Sequence, residues 1–451
     1  MSSRHVSFYT GYSPDAALWP LCDDDSMAEK WSIERDQTGK ADDASARNTL
    51  SNDHAAIVSR RAADRLRAGH VWVYRSDVTS APEDAEGLLQ VVDARGALLG
   101  TALYSPTSEI ALRLISTEEI SSEAEWLQIL ADRMRKAITG RRDILSSGET
   151  SACRLMFSEA DALPGLIADK YGDLIILQLL TKALDNEAVR IVATSVLKEA
   201  LSPSIIVERP DARIRELEQL SVPLDPAPLY VRGELELQTQ FLLNGLKFNY
   251  DAAAGQKTGA FLDQRENYAA TTRYAHGDAL DVCTYQGGFA LHMARVCDRV
   301  TGIDVSRAAL EIAEKNLAAN RDSISAEVDW VEANAFDLMR DWSFSGAEYD
   351  TIVLDPPAFA KSKRAAEGAL RGYKELNLRA FKMLRPGGVL ATFSCSHHVP
   401  LADFTAVVAA AAGDAGRRVR LIERRGAAAD HPVILTIPET EYLKCLICEV
   451  E

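Results

Sequence analysis

Two short strings in this chain carry side chains suited to covalent chemistry on a ring. Residues 393–398 (FSCSHH) set Cys395 between two serines, with His397 and His398 behind it. Most free cysteines are small buried hydrophobes, but a polar setting at a strand end supports a thiolate. Residues 355–359 (DPPAF) set a carboxylate and an aromatic ring around two prolines. The prolines hold the loop extended and keep it from re-forming helix. Asp355 can then meet an exocyclic amine or ring nitrogen of an extruded base, with Pro356 and Pro357 beside it and Phe359 stacking on it. Carbon 5 of cytosine is too weak a nucleophile to take a methyl group directly. A thiolate that adds at carbon 6 makes an enamine-like ring that can. Cys395 is the candidate nucleophile.

Both strings sit where the surrounding pattern ends a buried strand. From about residue 278 strands alternate with helices: 279–283, 299–304, 328–332, 351–355 and 389–394 read as strands, and 307–320 as a helix after a capping Ser306. This is the pattern of a doubly wound α/β domain, whose ligands bind at the carboxyl ends of the strands. The turn after the first strand reads YQGGF over 285–289. Its glycines let a ligand approach backbone, and the helix behind offers N–H groups. The GxGxxG fingerprint is absent, which argues against a dinucleotide cofactor. Asp304, ending the next strand, is placed to accept both hydroxyls of a ribose. Together with the glycine turn it suits S-adenosylmethionine. Cys445 and Cys448 lie three apart in a strand and face opposite ways, so they read as core rather than as a metal or disulfide pair. Cys283 needs no chemical role. His397 and His398 either orient substrate or face solvent.

With 451 residues the chain has room for two to four domains, and 47% hydrophobic with 26% charged residues is ordinary for a globular protein. Residues 1–53 are acid-rich and aperiodic and read as a flexible extension. Residues 54–120 alternate in short runs and form a small β-rich domain. Residues 121–235 mix helix and strand, with an amphipathic helix over 126–139 and no catalytic signal. Residues 236–451 open on a hairpin at Asn244-Gly245 and continue as the α/β domain. Seven scattered cysteines make no disulfide framework. No run reaches a membrane-spanning length, and the N-terminus does not read as a secretory signal. The expectation is a cytoplasmic protein with reduced thiols and no metal. A net charge of −16 at first opposes a nucleic-acid partner. RNA contact needs one basic face rather than a basic protein. Arg60, Arg61, Arg65, Arg67 and Arg75 form one cluster, Arg133, Arg135, Lys136, Arg141 and Arg142 a second, and Lys361, Lys363 and Arg364 a third. Each by itself reads more readily as a solvated helix face.

On these motifs the chain resembles the bacterial 23S rRNA cytosine-C5 methyltransferases of the RlmI type. The matching strings are GQKTGAFLDQREN (255–267), residues 281–289, DVS (304–306), DPPAF (355–359) and SCS (394–396). The first is highly specific, and the likeness runs from about 55 to 451. It implies a PUA domain, a central α/β domain, a Rossmann-like class I methyltransferase domain, S-adenosylmethionine as methyl donor, large-subunit rRNA as partner, and homodimers. Residues 69–77 (GHVWVYRSD) look like the opening of that PUA domain, with Arg61, Arg65, Trp72 and Arg75 as RNA contacts.

By the same likeness Lys257, Thr258, Phe261, Asp263 and Arg265 wall the methyl donor. Asp281, Tyr285 and Gly287 follow its methionine part, Asp304 its ribose, and Asn334 and Ala335 its adenine, with Ser306 and Asp355 also at the cofactor. Asp355 binds or protonates the base as a catalytic residue, and Cys395 is the nucleophile. Another branch of RNA cytosine methyltransferases carries a second cysteine after its DP motif; Pro357 stands there in this chain. Two other readings compete. In one, the same fold methylates a different base with Cys395 idle, and Cys395→Ser keeps activity. In the other, the chain is a non-catalytic RNA-binding assembly factor and binds no cofactor.

Overall fold

The computed structural model describes residues 55–83, 85–220, 226–253, 260–359 and 363–451. The acidic extension, Lys257, Thr258 and Lys361 lie outside them.

The first described unit is a six-stranded sheet, in spatial order Trp72–Tyr74, Ile110–Ser116, Leu98–Tyr104, Gly87–Val92, Ala55–Val58 and Val78–Ser80. A helix, Arg60–Arg67, follows the first strand in the chain. Ser59 starts it by accepting the Ala62 N–H, and Gly69 at φ +90° turns the chain out of it. Ala62, Ala63 and Leu66 bury one face of the helix against Val58, Val91 and Leu112. Its arginines therefore face outward.

The second sheet runs Ala227–Val231, Ile205–Glu208, Leu174–Leu179, Leu166–Tyr171 and Ala152–Phe157. Helices Glu123–Gly140 and Glu187–Leu201 cover one face with Trp126, Leu130, Met134, Val189 and Leu197. The first of them begins one turn ahead of the expected 126–139, because Ser122 caps it. The other face shares a core with the hairpin Gln238–Leu243 and Leu246–Asp251. Asn244 (φ +51°) and Gly245 (φ +83°) close that hairpin, the left-handed pair a two-residue turn requires.

The C-terminal sheet has seven strands: β1 (Asp278–Val282), β2 (Arg299–Asp304), β3 (Glu327–Glu332), β4 (Tyr349–Leu354), β5 (Leu384–Ser394), β6 (Val419–Arg425) and β7 (Lys444–Val450). Their order is β3-β2-β1-β4-β5-β7-β6. The first five are parallel, and β7 pairs antiparallel with both β5 and β6. Leu280, Ile352 and Leu390 bury one face, while Ala279, Val353 and Ala391 bury the other. Burial on both faces is why these strands read as continuous apolar runs. Chain order reverses between β1 and β4, and a crevice opens there at the carboxyl ends of the strands. The doubly wound domain behind a small β-rich one is as the sequence implied. Among the described residues no helix is long and apolar enough to cross a membrane.

Candidate active site

A cleft of about 490 Å³ opens at that reversal. Its walls come from the carboxyl ends of β1, β2, β4 and β5 and from the segment 260–264.

The turn after β1 is held in an uncommon backbone. Cys283 (φ +65°), Tyr285 (φ +51°) and Gly287 (φ +85°) all take left-handed conformations. For two non-glycine residues this costs about 1–3 kcal/mol each, and such strain gathers at ligand clamps. Asp281, fully buried, holds the turn: its Oδ2 accepts from the Thr284 hydroxyl (2.6 Å) and the Ala290 N–H (2.9 Å). Burial raises its carboxyl to about 7 against those two hydrogen bonds. Its Oδ1 is buried without a hydrogen-bond partner among the described residues. Asp281 is thus behind the turn rather than in the cleft wall. Glycine is required just beyond, because a Cβ on Gly288 would meet the Tyr268 hydroxyl at 2.6 Å.

Beside that turn, Asp304 accepts the Tyr285 N–H on one oxygen and the Ser306 N–H on the other, each at 2.9 Å. A carboxylate has about four lone-pair sites, so a ribose diol can still bind. Asn334 lines the adjoining wall with Ala335 and Phe336. Its side chain caps the next helix at the Phe336 N–H (2.9 Å).

Asp355, Pro356, Pro357, Phe359 and Cys395 share this same cleft. Phe359 packs against Phe336 and Tyr373, with ring centroids 5.7 and 4.8 Å apart. Cys395 lies just past β5, its sulfur 3.9 Å from the Pro356 carbonyl. Neighbouring strand ends thus bring nucleophile candidate and carboxylate together although 39 residues separate Cys395 from Pro356. Phe261 and Tyr285 face each other as an aromatic pair at 5.1 Å. Asp263 lines the cleft too, and its Oδ2 accepts from the Tyr442 hydroxyl at 2.6 Å.

The structure does not bring every candidate here. Arg265 turns away from the cleft and pairs with buried Asp430 at 2.8 Å. Arg61 and Arg65 pair with Asp77 on the first sheet, Arg75 reaches Glu109, and the Trp72 indole donates to Glu159 at 2.9 Å. In the second basic cluster, Arg141 is buried and held bidentate by Asp161, and Arg133 binds the Ala162 carbonyl. Arg141 is an internal strut and Arg133 is half-buried, whereas Arg135, Lys136 and Arg142 are exposed as on a solvated helix face.

Two features of the site were not singled out from the sequence. The Gln264 side chain donates to Asp355 Oδ2 at 2.9 Å, and Lys444 buries its ammonium behind the Cys395 loop. The signal for Lys444 was a charge inside the apolar run 442–450.

A strained turn at a helix start, a carboxylate ending the next strand and an open cleft at the switch point define a class I methyltransferase. Residues 165–434 match the S-adenosylmethionine-dependent methyltransferase family, and residues 56–117 match the PUA-like domain. The chain is 37% identical over 396 residues to the Ribosomal RNA large subunit methyltransferase I of Pseudoalteromonas translucida, covering 85% of this chain and 96% of that one. Its likeness to the protein of the same name from Klebsiella pneumoniae is 36% over 386 residues, or 84% and 94% of the two chains. For Salmonella schwarzengrund it is 33% over 408 residues, or 89% and 99%. The chain belongs to this ribosomal RNA large subunit methyltransferase I family. Two solved structures share the fold at 20% identity, each covering 88% of this chain and all of the other. One is described as a SAM-dependent methyltransferase from Streptococcus mutans (TM-score 0.74), the other as a methyltransferase complexed with SAH (TM-score 0.75). The cofactor is S-adenosylmethionine, and the cleft's glycine turn and Asp304 fit it.

Proposed function

We propose that this protein methylates carbon 5 of a cytosine in large-subunit ribosomal RNA, through a covalent bond between Cys395 and the base. The rRNA part of this reading rests on the family and its PUA-like domain. The observation that carries the mechanism is that Cys395 and Asp355 share one cleft with Asp304 and the glycine turn.

S-adenosylmethionine supplies an electrophilic methyl group on its sulfonium. The protein's task is to make carbon 5 nucleophilic at that spot. Asp355 and Phe359 hold an extruded cytosine, the first by hydrogen bonding and the second by stacking. The Cys395 sulfur adds at carbon 6, and the ring's electron pair becomes available at carbon 5. Once carbon 5 carries the methyl group, loss of its proton and departure of the sulfur restore the aromatic ring and the thiolate. Pro356 and Pro357 keep the loop extended, so the Asp355 carboxylate stays directed at the base.

The test is methyl transfer from labelled S-adenosylmethionine to protein-free large-subunit rRNA, with modified nucleosides identified by mass. Wild type should give 5-methylcytosine and Cys395→Ala none. RNA carrying 5-fluorocytidine should be trapped on wild type alone, since fluorine cannot leave as the proton does. A different methylated base, or one made equally by Cys395→Ala, overturns the mechanism.

A further inference from the structure

The C-terminal strand β7 carries a lysine at the end of its pairing with β5. Antiparallel register sets Lys444 opposite Ser394, one residue before the cysteine. The side chain is buried, the residue being 6% exposed. Its Nζ donates to the Ser396 carbonyl at 2.7 Å and to the Tyr442 carbonyl at 2.9 Å. Among the described residues no carboxylate lies within ion-pair distance of it. Buried Arg265, by contrast, sits on Asp430 at 2.8 Å.

A buried ammonium held by carbonyls alone is costly. Burial accordingly lowers the Lys444 ammonium below the ordinary lysine range. The charge that most opposes this is Cys395, ahead of Glu441. Lysine has three N–H donors, and the two carbonyls take two. Lys444 is not among the residues that line the cleft, and it bonds the Cys395 loop from behind.

We propose that Lys444 is a positioning residue that pins the Cys395 loop and supplies the counter-charge that keeps its sulfur a thiolate. This rests on the reading of Cys395 as the nucleophile. The loop's other neighbours bear on the balance. Asp355, from the loop after β4, shares the cleft with Cys395, and a negative charge there opposes a thiolate. Glu439 and Glu441, ahead of β7, act in the same direction, and Glu439 is drawn off by His70 at 3.1 Å. Tyr373, from helix Ala366–Met383, bonds the Ser396 hydroxyl at 2.9 Å; burial raises its phenol, so it stays neutral. Tyr442 is likewise raised by burial and by Asp263. His397 is lowered by burial, then by His398, and is neutral near pH 7. Among the described residues, Lys444 is a cation whose donors reach the loop itself.

The experiment is the pH dependence of Cys395 alkylation by iodoacetamide in the full chain, read on the Cys395 peptide by mass. Wild type, Lys444→Met and Lys444→Arg are compared, with methyl-transfer kinetics alongside. Wild type should reach half its maximal rate below the roughly pH 8.5 of an ordinary thiol. Lys444→Met should move that midpoint up by about one unit, which is about tenfold less thiolate at neutral pH, and Lys444→Arg should restore most of it. In Lys444→Met, kcat should fall about tenfold at pH 7 and recover as pH rises, with KM for both substrates little changed. An unchanged alkylation profile in Lys444→Met overturns the proposal. If that variant does not fold, a wild-type midpoint at or above that of a free thiol overturns it, and a lower one shared with Lys444→Arg supports it. Methylation that survives in Cys395→Ala removes the nucleophile reading instead, and the alkylation profile then still tests the Lys444 pairing separately.

Discussion

The Gln264 amide donates to the Asp355 carboxylate at 2.9 Å, although 91 residues separate them. The donor direction is fixed from the far end of a relay. Arg425 can only donate, and it donates to Asn267 Oδ1 at 2.9 Å. Asn267 must then donate from Nδ2 to Gln264 Oε1 (2.7 Å), which leaves the Gln264 N–H groups for Asp355. Oδ2 of Asp355 therefore accepts, and this contact sets how the carboxylate is turned in the cleft. Gln264→Ala should lower kcat about tenfold to a hundredfold, as loss of one hydrogen bond to a charged group costs about 1.5–3 kcal/mol. Calorimetric affinity for S-adenosylmethionine should change little. A kcat within about twofold of wild type, well short of that loss, would show that the relay does not orient Asp355.

Gly287→Ala tests the strained turn. Gly287 has φ +85°, and a Cβ there would come within 3.0 Å of the Trp330 ring. Backbone strain alone costs about 1–2 kcal/mol, and relieving it shifts the turn whose Tyr285, Gln286 and Gly288 line the cleft. The expected result is at least about tenfold weaker S-adenosylmethionine binding by calorimetry, with a small loss of melting temperature. Equal losses in a cofactor-free stability assay and no change in affinity would make the glycine structural only.

The strands of this domain were legible because burial on both faces writes unbroken apolar runs. The expected 299–304 strand coincides with β2, and the expected 389–394 strand is the end of β5. Cys445 and Cys448 illustrate how far periodicity reaches: they lie in β7 and face two different cores. Periodicity says nothing of partners distant in sequence. The pairing of Arg61 and Arg65 with Asp77, beyond the next strand, cannot be read from the helix's own pattern. Trp72 likewise spends its indole N–H on Glu159. The Arg265 in the FLDQREN string looked like part of the donor wall, and its partner Asp430 is 165 residues away.

Asp281 gives stability a pH dependence with a definite sign. Its folded carboxyl is raised to about 7 by burial, against about 3.9 in the unfolded chain. Its contribution is full below about pH 4 and lost as pH rises to about 7, because only the unfolded state ionises freely over that window. The stability difference between wild type and Asp281→Asn, from urea unfolding, should shift against wild type by about 1.4 kcal/mol per pH unit between about pH 4 and 7. It should then level off. A difference flat across that range would show that Asp281 is ionised in the folded protein.

Asp430 should behave in the opposite sense, and its removal should be the more damaging change. Its Oδ2 accepts from Arg265 and from the Arg154 N–H, both at 2.8 Å, and its carbonyl accepts from Arg141 at 3.0 Å. Arg141 and Arg154 belong to the central region, so one residue ties that region to the catalytic domain. Burial alone would raise Asp430, but the imidazole of His431 and the guanidinium of Arg265 outweigh it and hold the carboxyl well below the usual range. The stability this gives is present above about pH 4, the ordinary carboxylate value, and is lost as pH falls below it. Asp430→Asn leaves buried Arg265 only the longer, half-exposed contact to Glu266 at 3.5 Å, and loss of a buried partner costs up to about 3–5 kcal/mol. Pairing that change with Arg265→Met should recover most of the loss, since a buried ion pair is replaced by apolar groups at little net cost. Denaturation at neutral pH should therefore rank wild type near the double variant and well above Asp430→Asn. The gap between wild type and Asp430→Asn should narrow as pH drops from about 4 toward about 2. A single variant no weaker than the double one would mean that Arg265 finds another acceptor, and that the catalytic domain does not depend on Asp430 to hold the central region in place.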